Sequence, residues 1–101
     1  MVYVTAPNRA VARKIAKVVL RRRLAACANL APIESSYWWK GAIEEAAEVL
    51  VIFKTRRVLA RPLMTAVKAV HPYEVPCIVV YPMIDALPAY AEWIDEETRQ
   101  R

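Results

Sequence analysis

Apolar and polar positions divide the chain into segments of two periods. Residues 2–5, Val-Tyr-Val-Thr, alternate as a short strand. Pro7 and Asn8 interrupt them, with Asn8 suited to cap a helix. From Arg9 to about Arg23 the spacing becomes helical: Val11, Ile15, Val18 and Val19 make one face, with Arg13, Lys14, Lys17 and Arg21 opposite. The stretch from Leu24 to Trp39 reads as extended, Lys40-Gly41 as a turn, and residues 42–55 as the returning arm of a long hairpin. Leu59, Leu63, Val67 and Val70 then recur at helical spacing up to His71, with Pro62 tolerated only in the first turn. The apolar run from Val75 to Ile84, centred on residues 77–84, predicts a fourth strand. Asp85 is the expected cap of a last helix with Pro88 in its first turn and Leu87, Tyr90, Trp93 and Ile94 on one face.

The order βαββαβ plus a C-terminal helix predicts an α+β, ferredoxin-like domain spanning residues 1–101. Its first and third strands would be central and its second and fourth at the edges, with two helices on one face of the sheet. Residues 49–53 and 77–81 do not alternate, so both faces of their strands are apolar. Helices cover one face only, and the other therefore calls for a partner: the chain is expected to self-associate.

Composition sharpens this picture in three ways. At 101 residues there is room for one core. The formal net charge is +5, with cations crowding residues 9–23 and acids at residues 95–97. One glycine, seven prolines and an excess of arginine over lysine suit a rigid, thermophile-like chain. No run is long enough to cross a bilayer, and no signal-peptide pattern opens the chain, so a cytoplasmic protein without membrane partners is expected. Cys27 and Cys77, in apolar stretches with no CxxC, read as buried free thiols at opposite sheet edges.

The chemistry is sparse. There is no GxSxG, no P-loop and no nucleophile beside a base, which excludes the common enzyme classes. RNA-recognition modules share the element order, but "EVLVIF" stands where their third-strand aromatics belong. The basic face of the first helix reads as solvated, with no nucleic-acid partner. His71, the only histidine, ends a helix with its ring near the last carbonyls, or joins Glu74, Glu44 or Glu48 in a metal site shared between subunits. Tyr37 and Trp39 point to one side of their strand and suit an interface anchor. Lys54 ends an apolar strand and calls for a carboxylate, Glu44 or Glu48. Alternatively it binds an anion in a cleft with Trp39 and Tyr73.

"LAACANL" at 24–30, Ser35-x-Tyr37-x-Trp39-x-Gly41-x-Ile43-Glu44, Lys54-Thr55, "HPYEVP" at 71–76 and Tyr90-Ala91-x-Trp93-Ile94 together closely resemble the CutA family of divalent-cation-tolerance proteins. The resemblance runs from Thr5-Ala6-Pro7 to the last helix. It implies a non-enzymatic homotrimer concerned with copper and other divalent cations, with hairpins reaching across to neighbours. It also implies, as an alternative, a PII-like small-ligand sensor or scaffold with clefts between subunits. In bacterial members copper is attributed to a cysteine before "TAP" and to two histidines before "PY". Here Val4 and Val70 stand at two of those positions, and only His71 matches.

Overall fold

In the computed structural model, which describes residues 1–100, the chain forms four strands and three helices. They are β1 (Val2–Ala6), α1 (Arg9–Arg21), β2 (Cys27–Trp39), β3 (Ala42–Lys54), α2 (Ala60–Val70), β4 (Ile78–Val80) and α3 (Pro88–Glu97). A 3-10 turn, Arg57–Leu59, leads into α2. The sheet is antiparallel throughout in the order β2-β3-β1-β4, which places β1 and β3 in the centre as the element order predicts.

Local chemistry fixes most boundaries. The Asn8 side chain accepts from Val11 N at 2.9 Å and starts α1. Arg23, in the left-handed region at φ 58°, turns the chain towards β2 after α1 has ended two residues earlier than expected. Lys40 and Gly41 both have positive φ, 49° and 81°, the backbone of a two-residue hairpin turn matched to strand twist. Pro62 is the third residue of α2, in the first turn, where its missing N–H costs nothing.

Two boundaries differ from expectation. β4 is three residues long rather than eight, because β1 starts at Val2 and its register ends at Val2↔Val80. Tyr81 adds one last exchange with Met1, and Pro82 then removes the next donor. Nor does Asp85 cap α3. Its carboxylate accepts from Ala86 N at 2.9 Å, closing a local turn, and Leu87 stands at the cap position without a side-chain bond. α3 is instead held at its far end, where Thr98 Oγ1 accepts from Arg56 Nε at 2.8 Å and donates to Ile94 O. Of the four residues expected on its inner face, only Ile94 is buried, and Tyr90 is half-buried.

The core lies between one sheet face and the two long helices. Val2, Val4, Val51 and Phe53 point into it from the sheet, and Ile15, Val19, Leu63 and Val67 from the helices. The opposite face carries Tyr3, Leu50, Ile52, Val79 and Tyr81, which no helix covers as completely. β2 and β3 pair over thirteen residues, but β1 meets β3 only at residues 49–53. The remaining hairpin therefore projects past the body, giving extents of 44 × 25 × 21 Å. Phe53→Ala empties the largest fully buried side chain and should lower stability by about 3–5 kcal/mol. The check is the guanidinium midpoint at fixed protein concentration, and an unchanged midpoint would contradict this account of the core.

Candidate functional site: the cavity between hairpin and loop

The segment from His71 to Cys77 crosses beside the projecting hairpin, anchored at both ends by one residue of β1. Thr5 O accepts from His71 Nε2 at 2.8 Å, and Thr5 N donates to Cys77 O at 3.3 Å. Tyr73 N donates to His71 Nδ1 at 3.1 Å. A carbonyl can only accept and an amide N–H can only donate, so the ring carries its proton on Nε2 and offers Nδ1 as acceptor. α2 does end at Val70, with His71 extended at its C-cap. The ring, however, does not lie against the helix carbonyls; it fastens the loop to β1. Pro72 favours the extended backbone that makes this reach possible.

Tyr73 continues the attachment. Its hydroxyl donates to Glu48 Oε2 at 2.9 Å, joining the loop to β3 and giving a partner to a carboxylate only 7% exposed. Burial, then the hydrogen bond and charge of Glu48, push the phenol from its ordinary 10.0 up to about 12.

Loop and hairpin enclose an open cavity of about 920 Å³, floored by Tyr3 and Thr5. Glu34, Glu48 and Glu74 line it, with Tyr37, Trp39, Tyr73 and Cys77, and no lysine or arginine does. Five of the residues singled out from sequence, Tyr37, Trp39, Glu48, Tyr73 and Glu74, thus meet here. Glu44 and Lys54 do not. Lys54 pairs with Cys27 at the opposite end of the hairpin and donates to Asn29 Oδ1, not to a carboxylate. Six residues separate it from Glu48, about 20 Å along a strand, and Glu44 is farther still. Glu34, missed from the sequence, borders the cavity along β2, but the pairings Glu34↔Ala47 and Ile33↔Glu48 put its side chain on the opposite face of the ribbon from that of Glu48.

The cysteines also differ from expectation. Cys77 is exposed and Cys27 half-buried, both as free thiols. Each sits at a sheet edge, where no further strand covers it. Among the described residues no group of three histidine, cysteine or acidic side chains is close enough to hold a metal ion within one chain. A second concavity, about 730 Å³, lies between α3 and the Tyr81–Ile84 segment. Its Arg56 is already engaged by Thr98 and by Asp95 at 3.6 Å.

The Tyr73 phenol is stabilised in its neutral form by the fold. That contribution is complete below pH 10 and is lost as pH rises from 10 through about 12. Titration followed by tyrosinate absorbance should therefore show a late-ionising phenol that is lost in Tyr73→Phe, and the variant should lose less stability over that window than the wild type. A titration unchanged by the substitution would contradict the Tyr73–Glu48 contact.

Comparison with known proteins agrees with this fold. Residues 1–97 match the family described as CutA1 divalent ion tolerance protein. The divalent-cation tolerance protein CutA of Archaeoglobus fulgidus is 44% identical over 95 residues, covering 94% of this chain and 93% of the relative. The chloroplastic protein CutA of Arabidopsis thaliana is 42% identical over 98% of this chain, which spans only 55% of that relative's length. Among solved structures, the A. fulgidus protein superimposes with a TM-score of 0.95 at 43% identity, covering 97% of this chain and 96% of that one. Pyrococcus horikoshii CutA1 does so with 0.93 at 42% identity, covering 98% and 97%. The A. fulgidus structure is described as periplasmic and the Arabidopsis relative as chloroplastic, which overturns the expectation that the cytoplasm is the location to assume. No helix among the described residues is long and apolar enough to cross a membrane. With its fold, its motifs and nearly its whole length matched, the chain belongs to the CutA1 divalent ion tolerance family, which is not a known enzyme family.

Proposed function

We propose that this protein binds divalent cations, copper(II) or zinc(II), as a homotrimer, with each site formed where the cavity of one subunit is completed by a neighbour. The observation that carries this is the lining of the cavity: the acidic residues Glu48 and Glu74 and an exposed thiol, with no lysine or arginine. Such a concave surface attracts cations and repels anions, and carboxylate oxygens with a thiolate are ligands for both metals. One chain brings too few donors together. The uncovered apolar sheet face supplies the reason for chains to associate and bring more.

Within the site, Glu74 and Glu48 are the proposed ligands, with Glu44 on the same face of the hairpin available to a neighbouring copy. Tyr37 and Trp39 serve as anchors of the interface. Both nitrogens of His71 are committed to Thr5 and Tyr73, so its part is to hold Glu74 and Tyr73 over the cavity. Direct ligation would have to displace Tyr73 N from Nδ1. A sensor of anionic ligands built on Lys54 finds no support, since Lys54 lies outside the cavity.

Titration calorimetry with copper(II) and zinc(II) is expected to give one ion per subunit. Glu74→Gln and Glu48→Gln should each weaken binding by about tenfold or more, the scale on which a lost ligand or its supporting partner is felt. His71→Gln should weaken it less. Absence of binding, or binding indifferent to both glutamate substitutions, would refute the proposal.

A further inference from the structure

The helical layer, on the far side of the sheet from the uncovered face, carries one sign of charge. α1 and its cap expose Arg9, Arg13, Lys14, Lys17, Arg21 and Arg22, and the α2 segment adds Arg57, Arg61 and Lys68. Neither residues 1–33 nor residues 49–73 contain an aspartate or glutamate. The two neighbouring arginines that have ion partners, Arg23 with Glu97 at 3.0 Å and Arg56 with Asp95 at 3.6 Å, are the half-buried ones turned towards α3. The nine exposed cations form no ion pair among the described residues.

Topology gathers this charge further. α1 runs from the end of β1 to the start of β2, and α2 from the end of β3 to the start of β4. Because β1 and β3 are antiparallel, the two helices run in opposite senses. Arg21 and Arg22 at the end of α1 therefore fall at the same end of the layer as Arg57 and Arg61 at the entrance to α2. Taken alone, α1 is a solvated amphipathic helix. Packed beside α2, it is half of a continuous basic surface.

A purely structural role does not account for the arrangement. Arg9, Arg13, Lys17 and Arg21 are spaced i, i+4 along one column, where like charges oppose helix formation. A surface built for stability interleaves the signs, as α3 does with Asp95, Glu96 and Arg99. The column instead repeats every ~6 Å, close to the axial separation of alternate phosphates on one nucleic-acid strand, about 3.4 Å per phosphate. Arginine predominates, and its planar fork suits phosphate oxygens.

We infer that the α1–α2 layer is a docking surface for double-stranded nucleic acid, bound through its phosphate backbone without regard to sequence. The layer bears no aromatic residue on which unpaired bases could stack. Leu20 and Val58 are its only large exposed apolar side chains, too little for insertion into a lipid surface. A duplex backbone needs neither feature. The inference is independent of metal binding, which concerns the hairpin on the other side of the molecule.

The test is fluorescence anisotropy of the full chain with a labelled mixed-sequence 20-base-pair DNA duplex across a salt series. The logarithm of affinity should fall with the logarithm of salt with a slope of about −3 or steeper, near −0.9 for each phosphate neutralised. The triple variant R13Q/K17Q/R21Q should bind at least about tenfold more weakly, with the slope flattened by about 2. R57Q/R61Q should weaken binding in the same sense, and R99Q should not. Circular dichroism should show every variant folded, since the α1 and α2 side chains are exposed and their removal relieves repulsion, and the ion pairs of Arg99 are exposed ones worth little to stability. No binding at 50 mM salt would overturn the inference, as would binding indifferent to both helix variants. So would binding to anionic phosphatidylserine vesicles with none to the duplex.

Discussion

A sheet with apolar residues on both faces and helices enough for only one is the constraint on which the rest of this structure depends. Val2, Val4, Val51 and Phe53 are satisfied by α1 and α2. Tyr3, Leu50, Ile52, Val79 and Tyr81 on the other side are not, and the apolar area they present favours burial against something else. The same constraint explains the hairpin. Thirteen backbone pairs support a ribbon that leaves the body of its own chain, and a two-stranded ribbon gains little from standing alone in water. Its exposed Trp38 and Ile43, paired across the strands near the tip, are residues expected to meet another surface.

The cavity is a consequence of that projection. Because β3 outruns β1, the His71–Cys77 segment has a flank of hairpin to lie beside, and Thr5 is where both ends of the segment are pinned. His71 and Tyr73 turn the crossing into a fixed wall by hydrogen bonds to β1 and β3. A site assembled in this way is polar where the loop and hairpin meet, above Tyr3 and Thr5 of β1. Its acidic residues are all brought by the hairpin and the loop, while nine exposed cations lie on the α1–α2 layer. A single chain thus presents a cation-attracting concavity on one side of the sheet and a basic helical surface on the other.

Much of this was legible in the sequence. The change of period at Asn8, at the Lys40-Gly41 turn and at Thr55 marks every long element, since local alternation and turn chemistry are properties of neighbouring residues. The strand order followed from the element order, and four of the site residues from motifs. What escaped depended on contacts far apart in the chain. β4 is short because β1 offers no partner before Val2, which the apolar run to Ile84 does not reveal. Lys54 looked short of a carboxylate, but register set it opposite Cys27 and beside Asn29. His71 looked like a helix terminator or a ligand, and its ring was claimed by a carbonyl 66 residues away. Asp85 illustrates the opposite failure, in which a bond to the adjacent amide outcompeted the helix cap.

Assembly and cation binding meet in one place in this account, where the cavity of one chain borders the next. Native mass spectrometry during a zinc(II) titration tests that junction most directly. The account predicts particles of three chains that retain up to three ions and lose them when Glu48 and Glu74 are both replaced by glutamine. Single chains, or trimers that retain no ions at any zinc concentration, would contradict it.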